Sequence, residues 1–315
     1  ATVCYVTESG NNAVKTINIA KSEMVMYAGS TAGTAGSTDG KAKACAEKGE
    51  TQALFKQPAS VVLVSQSSSY YAAGDVLVVD SGNNAIRRVS GDDVSTLITG
   101  LAFAPTAMVF DESDGAIYFL GSSQNHVSKI AYGSGTVSTY AGSQGTSGLV
   151  DNVTPSSARF NAPEGLALDG ANRILYVADT GNHAVRAIDL STGAVTTVLG
   201  DGTISASGAV LDSDGILSTP ARFNYPAGIA YNLDSSLSSG VLLVTDRGTH
   251  QIRKIILTDA TASNAATVVT VAGSYTGTSG FRDSTVGSAA LLNKPVSISY
   301  VSGSTYVVVD QDNHA

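Results

Sequence analysis

The chain of 315 residues contains no tryptophan, only 2 cysteines and few charged residues, which make up 14% of the sequence. A hydrophobic content of 43% with so little charge is typical of a folded globular chain and argues against a disordered one. The formal net charge is -8, and no run of Lys or Arg could neutralise a row of phosphates. The composition therefore predicts no nucleic-acid partner.

Long apolar runs are also absent, since none approaches the roughly 18 residues that a membrane-spanning helix needs. This predicts no membrane insertion. The first residues, "ATVCYVTESG", alternate like a β-strand and do not resemble a signal peptide. Because residue 1 is alanine, we expect that an upstream segment was removed and that the sequence is part of a longer polypeptide.

The two cysteines, Cys4 and Cys45, lie in the N-terminal sixth of the chain. In an oxidising compartment they could form one disulfide, which the chain-entropy argument values at about 4 kcal/mol. Two unpaired thiols are the alternative. The even count and the wealth of Ser, Thr and Gly favour a secreted protein, located outside the cell or on its surface.

One pattern recurs along the chain, which is what repeat architectures show. The copies are "CYVTESGNNAVKTINI" from Cys4, "VLVVDSGNNAIRRVSG" from Val76, a degenerate "IYFLGSSQNHVSKIAY" from Ile117, "LYVADTGNHAVRAIDL" from Leu175, "LLVTDRGTHQIRKIIL" from Leu242 and a shortened "YVVVDQDNHA" from Tyr306. Each complete copy reads as two alternating strands around a Gly/Asn turn, which indicates a β-hairpin.

A further strand ending on glycine, such as "VSTYAG", follows each complete copy, and an apolar run introduced by proline, such as "PAGIAY", precedes each later one. Four short antiparallel strands per unit indicate β-propeller blades. We therefore predict an all-β, six-bladed β-propeller of four-stranded antiparallel blades, with the first and last blades incomplete within this chain. Residues 1–315 are predicted to form a single domain.

The repeated Asp, Gly-Asn-His and Ile/Val-Arg pattern, followed by a Gly-rich linker and Phe-Asn-x-Pro, closely resembles the NHL-repeat family of β-propellers. The resemblance covers essentially the whole chain. It implies the fold more than the function, because such propellers serve in RNA binding, protein binding, scaffolding and, in some relatives, lyase or hydrolase chemistry. The expected signature of RNA binding, a basic face bearing aromatic residues, is missing here.

Residues that recur at one place in successive blades are predicted to perform a structural task, because catalysis needs a singular site. The acidic residue can accept hydrogen bonds from the turn or pair with the basic residue seven positions later. These candidate pairs are Glu8 with Lys15, Asp80 with Arg87, Asp179 with Arg186 and Asp246 with Arg253, and Asp310 is the acidic residue of the last copy. The turn glycines, including Gly10 and Gly181, can supply the positive φ that such turns often require, and the following Asn tolerates it too.

Three of the 4 histidines occupy one repeat position: His183, His250 and His314. Equivalent positions on successive blades diverge around the axis, so these side chains are not expected to converge on a metal ion. Glu164, Asp212 and Asp214 read as linker or strand-end carboxylates. No catalytic residue, metal site or cofactor is predicted.

Asn152, in Asn-Val-Thr, is the candidate acceptor for N-linked sugar, although Pro155 follows the sequon directly. These features together predict a non-enzymatic extracellular structural or protein-interaction module, a protomer of a surface or fibrillar assembly. Its predicted partners are other proteins or copies of itself, with carbohydrate as a further candidate. Two alternatives stay open: a propeller enzyme of the lyase or hydrolase type with an axial metal site, and an intracellular protein-binding adaptor.

Overall fold

A computed structural model describes residues 3–43, 49–67, 71–131, 135–203, 222–233, 240–257, 267–303 and 305–314. The chain forms two compact units. Unit 1 comprises residues 1–122 and 128–138, and unit 2 comprises residues 123–127 and 139–315. Within the described ranges, no helix is long and apolar enough to cross a membrane.

The N-terminal part of the chain forms three antiparallel sheets. The first has the order β1-β2-β3, the second β4-β8-β7-β6-β5 and the third β12-β11-β10-β9. Their strands are β1 (Val3–Glu8), β2 (Ala13–Asn18), β3 (Glu23–Gly29), β4 (Gly40–Lys41), β5 (Pro58–Leu63), β6 (Val76–Asp80), β7 (Ala85–Ser90), β8 (Asp93–Ile98), β9 (Pro105–Asp111), β10 (Ala116–Gly121), β11 (His126–Ile130) and β12 (Val137–Gly142). The boundary between the two units passes through the third sheet.

Three further sheets follow along the chain, with the orders β13-β14-β15-β16, β17-β18-β19-β20 and β21-β22. Their strands are β13 (Gly165–Asp169), β14 (Ile174–Asp179), β15 (Ala184–Asp189), β16 (Val195–Leu199), β17 (Pro226–Asn232), β18 (Val241–Asp246), β19 (Gln251–Ile256), β20 (Thr267–Ala272), β21 (Pro295–Ser302) and β22 (Thr305–Asp310). Proline is the first residue of four strands that lie at the end of their sheets, where no ladder N–H is required. These strands are β5, β9, β17 and β21.

The predicted hairpins are present, and three of their turns are short 3-10 helices: Ser9–Asn11, Ser81–Asn83 and Thr180–Asn182. The turn glycines do not supply the positive φ. In five copies, that conformation belongs to the Asn or His that closes the turn: Asn12, Asn84, His183, His250 and His314 have φ between 49° and 61°. Glycine is required for a close approach instead, since a Cβ at Gly181 would lie 2.7 Å from the carbonyl oxygen of Asn161.

Within each unit, the cores lie between neighbouring sheets and depend on strands that are buried on both faces. In unit 1, β6 contributes Leu77 to a cluster with the third sheet and Val78 to a cluster with the first. In unit 2, β18 contributes Val244 to a cluster with the fourth sheet and Leu243 to a cluster with the last. Alternation along a strand sends neighbouring side chains to opposite faces, so one strand joins two cores.

The prediction of six blades is wrong in number. Five sheets have three to five strands and form blades, whereas the last repeat contributes only the two-stranded sheet β21-β22. The predicted four-stranded blade describes the third, fourth and fifth sheets, while the second gains the short strand β4. The prediction of a single domain over 1–315 stays a prediction.

Candidate functional site: the repeated polar clusters and their exceptions

The most complete repeated cluster surrounds Asp179 in the fourth sheet, and both Asp179 and Arg186 are fully buried. Arg186 Nη1 and Asn182 Nδ2 donate to Asp179 Oδ2 at 2.9 and 2.8 Å. The other carboxylate oxygen, Oδ1, accepts from the backbone N–H of Asn161 at 2.8 Å. Burial raises the pKa of Asp179 to about 6, although these three donors act in the opposite direction.

The linker before the fourth sheet completes this cluster. Arg186 donates from Nη1 to the carbonyl of Arg159 at 2.9 Å and from Nη2 to the carbonyl of Val150 at 3.0 Å. Nη2 also reaches Asp151 Oδ1 at 2.6 Å, and Asp151 in turn accepts two hydrogen bonds from Thr197. One buried guanidinium therefore connects β14, the linker and, through Asp151, the outer strand β16.

The second sheet repeats the arrangement. Arg87 Nη1 donates to Asp80 Oδ2 at 2.9 Å, and Nη2 donates to Asp39 Oδ1 at 2.6 Å. Asp39 accepts from the backbone and hydroxyl of Thr96, as Asp151 does from Thr197. In both copies the linker phenylalanine packs against the guanidinium. Cζ of Arg87 lies 5.3 Å from the centre of the Phe55 ring, and Cζ of Arg186 lies 5.1 Å from the centre of the Phe160 ring.

The remaining acidic residues keep part of the arrangement. Asp246 Oδ1 accepts from the N–H of Asn224 at 2.7 Å, and burial raises the pKa of Asp246 to about 6 against the nearby charge of Arg253. Asp310 accepts from the N–H of Asn293 and from Asn313. In the first sheet, Lys15 and Glu8 form a half-exposed ion pair at 2.9 Å.

The degenerate copy has a steric explanation. Gly121 occupies the acidic position and Ser128 the basic one, and the ring of Phe103 fills the space where an acidic side chain would begin. A Cβ at Gly121 would lie 2.0 Å from Phe103 Cδ2. In the degenerate copy, the ring of Phe103 therefore occupies the space that the acidic member of the ion pair takes in other copies.

The side chain at the histidine position of the repeat accepts a hydrogen bond from a backbone N–H of the linker that follows. His183 Nδ1 accepts from the N–H of Tyr225, and His250 Nδ1 accepts from the N–H of Lys294, both at 3.1 Å. Asn125 Oδ1 makes the same contact in its own copy, with the N–H of Ala162 at 2.9 Å. These histidines therefore hold neighbouring sheets together through an unprotonated ring nitrogen.

Three side chains near the fourth and fifth sheets depart from the repeat. Arg247 donates from Nη1 and Nη2 to Oε2 and Oε1 of Glu164 at 2.8 and 3.0 Å. The backbone N–H of Arg247 donates to the carbonyl of Tyr225 at 3.3 Å. Tyr225 is 43% exposed, and its ring meets the ring of His183 edge-on at 4.7 Å. The expectation that Glu164 is an ordinary strand-end carboxylate misses this bidentate contact.

The other candidate residues lie apart from these clusters. Asn152 pairs through its backbone with Val195, and its side-chain oxygen accepts from the N–H of Thr154.

Cys4 is half-buried on β1 and has no disulfide partner among the described residues. Cys45, Asp212 and Asp214 lie outside the described residues. His314 is exposed. The described part of the chain contains no group of three His, Cys, Asp or Glu side chains able to hold a metal ion.

Sequence reasoning missed Asp39 and Asp151, the linker partners of the two buried arginines. A signal for them exists, because both close a Gly-x-x-Asp sequence in the Gly-rich linkers, as Asp283 does in a later one. The spacing between linker and hairpin varies from copy to copy, so the pairing of linker Asp with hairpin Arg emerges only after folding.

The small antiparallel sheets, with an Asp–Arg cluster repeated beside several of them, form a β-propeller fold. The NHL repeat profile matches residues 160–188, which include Asp179, His183 and Arg186. This match and the fold confirm the resemblance inferred from the repeated motif.

Curated relatives support the same class. The chain is 36% identical over 107 residues to human NHL repeat-containing protein 2, a match covering 32% of this chain and 14% of that protein. It is 24% identical over 269 residues to the Arabidopsis thaliana protein SUPPRESSOR OF QUENCHING 1, chloroplastic, a match covering 79% of this chain and 24% of the relative. The chain thus spans about a quarter or less of the length of these relatives.

Solved structures share the fold at low identity. An auxiliary nutrient binding protein from Bacteroides thetaiotaomicron superposes with a TM-score of 0.67 at 13% identity, covering 99% of this chain and 64% of that one. Virginiamycin B lyase from Staphylococcus aureus superposes with a TM-score of 0.53 at 16% identity, covering 98% and 74%. These likenesses establish the β-propeller fold alone.

Proposed function

We propose that the chain is a non-enzymatic protein-interaction module that uses its first sheet to bind copies of itself. The observation that carries this proposal is the exposure of large apolar side chains on both faces of that sheet. Met24 and Val25 on β3 are 52% and 48% exposed, and they are joined by Val3 and Ile19. Exposed apolar patches of this kind mark interaction surfaces in soluble proteins.

Comparison with equivalent strands supports the proposal. Val25 and Met26 occupy positions that hold Ser138 and Thr139 in β12, and Thr196 and Thr197 in β16. These copies therefore tolerate polar side chains here, whereas β3 has two apolar ones and β20 has one of each, Val269 and Thr270. As the outermost strand of its described sheet, β3 can also pair edge to edge with another strand.

The polar clusters support a binding role over a catalytic one. The charged residues of the repeat are used in contacts between a hairpin and its neighbouring linker, as Arg186 is with Asp179 and Asp151. Groups held in buried ion pairs of this kind are not positioned to act on a substrate. We extend the proposal to a protomer of a surface or fibrillar assembly.

The experiment is a measurement of molar mass by sedimentation velocity over a wide range of concentration. We expect wild-type protein to associate and the double variant Met24→Thr, Val25→Thr to be monomeric. Val137→Thr, on the equivalent strand β12, is the matched control and should associate like wild type. A wild-type chain that stays monomeric throughout would overturn the proposal. Native mass spectrometry of the same samples would favour the enzyme alternative if it found a bound divalent ion.

An extracellular or cell-surface location is part of the proposal. Its support is the low charge of 14% and the pair of cysteines. Thiol titration of the denatured protein, purified from its natural source without reductant, should find Cys4 and Cys45 oxidised. Two free thiols would favour the intracellular adaptor instead.

A further inference from the structure

Glu164, Tyr225 and Arg247 occupy repeat positions at which other copies have different residues. The position of Glu164, after the first-strand proline, holds Ala59, Thr106, Ala227 and Val296 elsewhere. The position of Arg247, after the acidic residue, holds Ser9, Ser81, Thr180 and Gln311. The position of Tyr225 holds Gln57, Ala104, Ala162 and Lys294. Since the repeated residues maintain the fold, a function particular to this chain is expected where the repeat is broken.

Arg247, directly after β18, links the other two residues: its side chain contacts Glu164 and its backbone contacts Tyr225. Two hydrogen bonds fix the guanidinium of Arg247 and the carboxylate of Glu164 in one plane, at 2.8 and 3.0 Å. The two side chains keep 27% and 41% of their surface in contact with solvent. The backbone of Arg247 is bonded to that of Tyr225, whose ring is exposed and rests edge-on against His183.

The exposed groups of these three side chains favour one class of ligand. The ion pair has no net charge, so it offers little attraction to an anion or a cation. Its remaining guanidinium N–H groups and carboxylate lone pairs present donors and acceptors together, which suits neighbouring hydroxyl groups that both donate and accept. An exposed tyrosine ring adds a flat apolar surface for C–H groups.

We propose that Glu164, Tyr225 and Arg247 form a binding subsite for a neutral saccharide. The ring of Tyr225 packs against the apolar face of one sugar residue, and the Arg247–Glu164 pair hydrogen-bonds to its hydroxyls. This inference does not depend on self-association, because that proposal uses residues of the first sheet.

The test is affinity electrophoresis of the whole chain in native gels containing dextran, yeast mannan or laminarin, with anionic polygalacturonate as the contrast. We expect at least one of the three neutral polysaccharides to retard the wild-type chain. Tyr225→Ala and Arg247→Ala should each weaken that retardation about tenfold or more, the scale of a central contact.

Two matched controls should bind like wild type. Tyr300→Ala removes another tyrosine of similar exposure, 41%, and Arg222→Ala removes the arginine of another exposed ion pair, with Asp201. If Arg247→Ala does not fold, Glu164→Gln keeps the shape of the side chain and tests the same contact. The inference is overturned if no neutral polysaccharide retards the protein, if polygalacturonate is preferred, or if the site variants bind like the controls.

Discussion

The Nδ1 atom of His183 accepts a hydrogen bond from the backbone N–H of Tyr225 at 3.1 Å. This contact joins the turn of one sheet to the linker that begins the next. Because Nδ1 must carry no proton to accept, protonation breaks the contact. Burial lowers the pKa of His183 below its ordinary value of 6.5, which fits this role.

His183→Asn is therefore expected to reduce the dependence of stability on pH. Asparagine makes the same contact at Asn125, so the variant keeps the acceptor and loses the titrating group. Since the folded pKa lies below the unfolded value of 6.5, His183 contributes its full stability above pH 6.5 and loses it as the pH falls further. Urea unfolding between about pH 7 and 5 should show wild type losing stability relative to the variant.

The raised pKa of Asp179 does not disturb this comparison, because both proteins contain that group. His250→Asn is a second test, since burial and the charge of Lys294 lower the pKa of His250, against Asp310 and Asp312. An identical pH dependence for wild type and both variants would show that protonation of these rings does not matter.

Arg186→Met should destabilise unit 2 by about 3–5 kcal/mol, because it leaves the buried carboxylate of Asp179 without its partner. Arg222→Ala removes an exposed arginine paired with Asp201 and should cost about 1 kcal/mol or less. Chemical denaturation monitored by tyrosine fluorescence would measure both. Equal losses for the two variants would contradict a special role for the buried pair.

Asp151 and Thr197 should be energetically coupled, because Asp151 bridges the guanidinium of Arg186 and the hydroxyl of Thr197. Asp151→Ala is expected to cost about 1–3 kcal/mol, since it leaves donors of the cluster unpaired. In a double-mutant cycle with Thr197→Val we expect a coupling of about 0.5 kcal/mol or more. The control cycle with Thr96→Val, whose hydroxyl binds Asp39, should be additive.

Gly121→Ala should destabilise unit 1 by about 1–3 kcal/mol through overpacking against the ring of Phe103. The backbone of Gly121 does not have a positive φ, so conformational strain does not contribute. Gly10→Ala, where nothing lies within 4 Å of the added Cβ, is the matched control and should leave stability nearly unchanged. Thermal unfolding followed by circular dichroism would separate the two. A neutral Gly121→Ala would contradict the steric account of the degenerate copy.

Much of the fold could be predicted from the sequence because local patterns of apolar and polar residues indicate it. Alternation in "LYVADTGNHAVRAIDL" indicates both strands and the turn between them, and recurrence of the motif indicates blades. The number of blades was harder to predict than the hairpins. A repeated motif marks a hairpin, whereas a blade requires further strands to pair with it, and the last copy has only β21 beside β22.

The candidate site was less predictable than the fold. The pairing of Asp179 with Arg186 follows from their places on adjoining strands, since Asp179 lies opposite Ala184 and Arg186 opposite Val177. The positive φ of His183 and the close approach at Gly181 do not follow from composition, because either residue type could take either role. Asp151 joins the cluster only when the linker lies across the sheet.

By itself, then, the sequence determined the strands and the hairpins, because periodicity and recurrence are properties of the chain alone. Recurrence also predicts a structural task for the repeated Asp, His and Arg. Tertiary structure decided which residues complete each cluster and which depart from it. Glu164 and Arg247 lie far apart along the chain, and their bidentate contact exists because folding brings the start of β13 to the end of β18. Contacts between distant segments depend on how sheets pack, and no local pattern encodes that packing.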